Sequence, residues 1–185
     1  KRPDYDKLLE LSKKKDFLPS YLKIISYEQG ASQYPFIKII DTRYCMEQGY
    51  VQEGNVTSIW VDILPTDGLP DNPKDIKKTY HKVGIYREIL MLNFAKIGEG
   101  KSKLKALLKP FVIPFAKLVG VNRCNKLIDN LSRSIPYEQA NKVGCIMWGI
   151  YGTKECMNKN EFDKAVDVTF EGHTFKAPSC WDSYL

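Results

Sequence analysis

Histidine is scarce in this chain: His81 and His173 are its two examples among 185 residues. His81 falls within a helical pattern beside an apolar stripe, and His173 falls at a hairpin turn. Neither supports a His-based hydrolase. A G-x-S-x-G elbow is absent and no Cys-His pairing is evident, so nucleophilic hydrolysis has no support either. The five cysteines, at 45, 124, 145, 156 and 180, contain no C-x-x-C pair. An odd, scattered set argues against a zinc site or a disulfide framework and for buried free thiols in a reducing cytoplasm. Apolar runs long enough to span a bilayer are missing. So are internal repeats, low-complexity tracts and any helix-turn-helix, zinc-finger or RNA-binding signature, so nucleic acid is not an expected partner.

What the chain does have is enough length for one domain with a substantial core. Its net charge of +6 favours anionic partners, such as phosphates, nucleotides or acidic membrane surfaces, without choosing among them. The chain starts Lys1-Arg2-Pro3 and stops at Trp181-Asp182-Ser183-Tyr184-Leu185. Both ends read as cuts through a longer protein.

The most informative stretch is Ile59-Trp60-Val61-Asp62-Ile63-Leu64-Pro65-Thr66-Asp67-Gly68. A short continuous apolar run bounded by turn residues predicts a strand, 59–64, covered on both faces. An ionised Asp62 buried there without a partner costs several kcal/mol, roughly. It therefore calls for a metal, a cationic partner or an exposed place at the strand end. Pro65 stops the ladder, and Asp67-Gly68 predicts a turn.

Elsewhere the pattern predicts a helix over 3–15 and strands over 21–27 and 36–41, the second interrupted by Lys38. Asn72-Pro73 predicts a helix start, with Ile76, Tyr80, Val83, Tyr86, Leu90, Phe94 and Ile97 on one face. Gly98 and Gly100 end that helix. Further helices are expected over 101–119, broken by Pro110 and Pro114, and over 122–134. An apolar run at 143–150 predicts a buried strand. A hairpin follows, with Gly172-His173 at its turn. Strands, a helical block over 72–135, then strands again from 143 to 185: this order predicts an α+β domain with its helices grouped.

Four segments, in order, resemble the LicD family of phosphocholine transferases, relatives of fukutin in the nucleotidyltransferase superfamily. They are Arg2-Pro3-Asp4-Tyr5; Phe36-Ile37-Lys38-Ile39 with Asp41-Thr42-Arg43; Trp60 to Gly68; and Phe170-Glu171-Gly172 with Phe175, Pro178, Trp181-Asp182 and Tyr184-Leu185. Leu64 stands where the family typically has Phe. The family's acidic Asp-x-Asp cluster, which comes just before the helix that Arg2 opens, lies outside this chain, as does its C-terminal Tyr-Gly-Asp tail. The resemblance implies one LicD-like domain over 1–185, truncated at both ends, with a nucleotidyltransferase-like mixed sheet and a helical insertion packed beside it. It implies transfer of phosphocholine from CDP-choline to a sugar hydroxyl of a cell-surface glycan, such as teichoic acid or lipopolysaccharide. A CDP-activated alditol donor such as CDP-ribitol, or a non-catalytic scaffold of the same fold, are its alternatives.

Pyrophosphate chemistry of this kind uses a divalent cation, Mg2+ or Mn2+, and positive groups around the phosphates. By resemblance Asp62 matches the family's third carboxylate, as metal ligand or as base for the acceptor hydroxyl. Its competing role is to cap a turn or pair with Lys38 or Arg43. Asp67 is a weaker metal candidate, since a Thr-Asp-Gly turn accounts for it. Lys38, Arg43 and Arg2 are candidates for phosphate contact. An outward-facing strand lysine, a surface ion pair and a carboxylate anchor are their respective ordinary roles. Choline would be held by aromatic faces, with Trp60, Tyr44, Tyr50, Trp148 and Trp181 available. The segment 101–118 mixes lysines with Leu, Phe, Val and Ile. It can pack against the sheet, or lie on an anionic membrane where lipid-linked glycan acceptors reside. The family likeness implies a cytoplasmic location, at the inner face of the cell membrane.

Overall fold

Asn72 and Pro73 start the longest helix by local chemistry alone. Asn72 takes an extended conformation and its side chain accepts a hydrogen bond from the Lys74 N–H at 2.9 Å, while Pro73 needs no hydrogen-bond partner in the first turn. This helix appears in a computed structural model that describes residues 1–14, 17–45, 58–96 and 103–184. The helices are α1 (Arg2–Leu11), α2 (Pro73–Leu92), α3 (Lys103–Val119), α4 (Val121–Ser132) and the short α5 (Lys159–Asp163) and α6 (Trp181–Tyr184). The strands are β1 (Leu22–Ile25), β2 (Ile37–Cys45), β3 (Ser58–Ile63), β4 (Asp67–Leu69), β5 (Lys142–Gly144), β6 (Met157–Asn158), β7 (Ala165–Phe170) and β8 (His173–Pro178).

The chain is α+β, as the order of patterns predicts. Its described strands fall into three small sheets, β1-β2-β3, β4-β5-β6 and the β7-β8 hairpin, with every described pairing antiparallel. The helical block packs beside these sheets. Ile76, Val83 and Leu90 of α2 and Cys124 and Ile128 of α4 close over Phe36, Leu69, Ile146 and Met147. The α2 positions are seven residues apart, two turns of one helical face. They were legible for that reason. Helix α2 ends at Leu92, short of the Phe94 and Ile97 expected on its face, and residues 97–102 lie outside the described residues.

Several expectations need correction. The 143–150 run is a strand only as far as Gly144; Cys145 to Gly149 turns, closed by the Gly149 N–H on the Cys145 carbonyl at 3.1 Å. Ile146 and Met147 are fully buried on that turn. An apolar run encodes burial, and a buried turn satisfies it as well as a strand does. Asp67-Gly68 is not a turn but part of the fully buried β4. A Cβ on Gly68 would lie 2.7 Å from the Ile135 carbonyl oxygen, so glycine is there to let backbones approach. The hairpin turn is one residue earlier than predicted. Glu171 and Gly172 both have positive φ, 48° and 77°, the requirement of a type I′ loop. Helix α3 runs through Pro110 and Pro114 instead of breaking at them. Both prolines are exposed, so water can satisfy the carbonyls they leave unpaired.

The largest correction concerns β3. It is a strand, as predicted, but it is not covered on both faces: Val61 is 61% exposed and Ile59 47%. Asp62 is exposed as well. The burial cost that made Asp62 conspicuous in the sequence is therefore not incurred.

Candidate functional site

Lys38 and Asp62 are brought together by the register of β2 and β3. They are direct cross-strand partners, so their side chains leave the same face of the sheet. Ile40 and Trp60 are the next pair on that face. The two charges differ in setting. Lys38 is 7% exposed, whereas Asp62 faces solvent.

The Lys38 ammonium lies under a box of rings. Its Nζ is 4.2 Å from the Tyr34 ring centre, 4.9 Å from Trp60 and 5.9 Å from Phe36. Tyr34 stacks on Phe36 with centroids 5.4 Å apart, and Trp148 meets both edge-on at 5.5 and 5.3 Å. Ring faces are negative and stabilise a cation held this way. Lys38 makes no ion pair among the described residues. Among the described residues its contacts are with rings, which leaves the Nζ donors open to an incoming anion.

Arg2 is placed differently. It is buried, and its guanidinium donates to both Asp67 oxygens, at 2.5 and 2.7 Å, and to Asp129 at 3.0 Å. Asp129 also accepts from Arg133 at 2.8 Å and from the Tyr27 hydroxyl at 3.2 Å, and Arg133 continues to Asp6 with two bonds. Burial pushes the Asp67 carboxyl above its ordinary value, the two Arg2 hydrogen bonds pulling the other way. The network ties α1 to β4 and α4. The Arg2 N–H also donates to the Thr66 carbonyl at 3.0 Å, so α1 starts against the segment that follows β3.

Of the sequence candidates, then, the structure unites Lys38 with Asp62 and, separately, Arg2 with Asp67. Arg43 belongs to neither pair. It holds Asp41, at 2.7 Å for the shortest bond, and lies over the Tyr21 ring at 3.8 Å. Its hydrogen bonds hold the Asp41 carboxyl below the usual carboxylate range. Trp148 backs the ring box, Trp60 forms part of it, Tyr44 and Trp181 are exposed, and Tyr50 lies outside the described residues.

Among the described residues no cluster of three or more His, Cys, Asp or Glu side chains converges on a point that could hold a divalent cation. Asp67 has both oxygens on Arg2, which leaves Asp62 as a single carboxylate. Burial pushes the Cys145 thiol up to about 11 and raises Cys124 and Cys156 as well, which disfavours a thiolate at these three positions.

Sequence reasoning missed Tyr34, Phe36, Asp129, Arg133, Tyr27 and Asp6. Tyr34 and Phe36 precede Lys38 at two-residue steps, a usable signal in hindsight. Asp129 and Arg133 are an i,i+4 pair on α4. Nothing local signals their link to Arg2.

Comparison with known proteins gives no match: neither a family model, nor a curated protein, nor a solved structure is similar enough to the chain to count as one.

Proposed function

We propose that this chain is a LicD-like phosphotransferase domain that binds a CDP-activated alcohol, CDP-choline in the leading case, for transfer of its phospho-substituted group to a sugar hydroxyl of a cell-surface glycan. The observation that carries the reading is the cross-strand pair of a ring-held cation, Lys38, and an exposed carboxylate, Asp62. Lys38 neutralises donor phosphate charge, which grows on the leaving CMP. Asp62 takes the proton from the acceptor hydroxyl. In the LicD family an acidic cluster comes just before the helix that α1 resembles, and the Arg2 N–H on the Thr66 carbonyl sets α1 against the segment after β3. The divalent cation would be held by that cluster. The work is done at the cytoplasmic face of the membrane.

The test is isothermal titration with CDP-choline, CDP-ribitol and CMP, each with and without Mg2+. CDP-choline binding that is strongest with Mg2+ and weakens on Asp62→Ala supports the reading. Preference for CDP-ribitol moves the donor to an alditol. Absence of binding to all three, or binding indifferent to Asp62→Ala, overturns the transferase reading. One observation favours a second reading, a scaffold of the same fold: Arg2 gives its hydrogen bonds to Asp67 and Asp129 and serves the packing of α1 instead of a substrate.

A further inference from the structure

Helix α3 has two apolar faces, and the protein uses one of them. Ile113 and Ala116 are buried against the rest of the molecule. Leu107, Leu108, Phe111, Phe115 and Leu118 point outward, with Phe111 77% and Leu118 84% exposed. At the turn of an α-helix these five positions fall within an arc of about 100°. Such a row of large apolar side chains on a surface marks an interaction site. The stretch of chain that carries it is of one charge sign. From residue 100 to residue 128 the sequence holds seven lysines and arginines and no aspartate or glutamate. The face continues into a groove of about 720 Å3 between α2, α3 and α4, where Phe115 and Leu118 meet Ile85 and Ile89. The charged residues lining that groove are Lys82 and Arg123.

From this geometry we infer that α3 is an interfacial membrane helix: it lays its Leu107–Leu118 face into the headgroup region of an anionic bilayer, with Lys117, Arg123 and Lys82 at the lipid phosphates. The chemistry of the face selects this occupant. A basic surround attracts an anionic sheet and repels basic partners, and exposed Phe and Leu gain by leaving water for acyl chains. No helix among the described residues is long and apolar enough to cross a bilayer, so the contact is one of lying on the surface. The inference is independent of the transferase reading; nucleotide binding and vesicle binding can fail separately.

The test is flotation of the protein with vesicles of phosphatidylcholine alone and of phosphatidylcholine with about one third phosphatidylglycerol. The protein is expected to float with the anionic vesicles and not with the neutral ones. Lys117→Gln weakens partitioning by about fivefold, the factor for one basic charge at an anionic surface. Raising salt to about 0.5 M weakens it further, because screening shortens the reach of every charge. Phe111→Glu with Leu118→Glu abolishes flotation with the melting temperature kept, since neither side chain is buried. Equal flotation with both vesicle types, no flotation with either, or flotation surviving the double substitution overturns the inference. So does light scattering that shows a dimer which the double substitution turns into a monomer, because a second copy then covers the face.

Discussion

Arg2→Ala is expected to lower the unfolding free energy by about 3–5 kcal/mol at neutral pH, because it leaves buried carboxylates without their partner. Asp67, among the most buried residues of the chain, is orphaned, and Asp129 loses one partner while keeping Arg133 and Tyr27. A urea titration followed by circular dichroism measures the loss. The pH dependence has a definite sign. The Asp67 carboxyl is already held above its ordinary value by burial, the opposing pull of Arg2 notwithstanding. A carboxyl raised on folding adds stability below the carboxylate range, and that contribution is lost as pH rises through its folded value. Removing Arg2 raises it further, so the deficit of Arg2→Ala is greatest at neutral pH and shrinks toward acid. Arg2→Met with Asp67→Leu recovers much of the loss, since an apolar pair replaces a desolvated ionic one at little net cost. A deficit that stays constant with pH, or a double variant as weak as the single one, contradicts this account of the network.

Phe36→Ala is expected to cost about 3–5 kcal/mol, the range for deleting a buried ring whose site cannot collapse. Phe36 is buried between Tyr34 and Trp148 and belongs to the main core with Leu69, Val83 and Ile146. It is also one wall of the Lys38 box. Phe36→Leu keeps most of the volume and loses about 1 kcal/mol, roughly the aromatic share. Thermal unfolding of the two variants side by side is the check. Equal losses would mean that volume is not what the site feels.

What could be read from the chain beforehand follows a physical division. Features written in neighbouring residues were legible: the Asn72-Pro73 helix start, the seven-residue face of α2, the Glu171-Gly172 hairpin to within one residue. Burial of one particular face was not. The Ile59–Leu64 run predicts a strand correctly, yet an apolar strand carries no mark of what lies over it, and nothing in the described structure covers Ile59 and Val61. The 143–150 run failed in the opposite way, its burial correct and its strand not. The candidate site divides similarly. Lys38 and Asp62 stood out because each interrupts an apolar strand. Their pairing needed the register between β2 and β3. Arg2 bonds to Asp67 across 65 residues and to Asp129 across 127, and no local pattern connects positions so far apart. Arg2 takes its ordinary role, a carboxylate anchor, and the carboxylate is that of Asp67, which is neither a turn residue nor free for a metal.

The account rests on Lys38 being a charge kept for a ligand and not for the fold. Calorimetric titration of CDP-choline against the wild type and Lys38→Met, with melting curves of both, separates the two. Methionine fills the same slot under Tyr34, Phe36 and Trp60, so its melting stability should stay within about 1 kcal/mol of wild type. Donor affinity should fall at least about tenfold, the loss of one charge-assisted phosphate contact. Unchanged affinity together with a collapsed melting temperature would contradict the account and make Lys38 a structural residue.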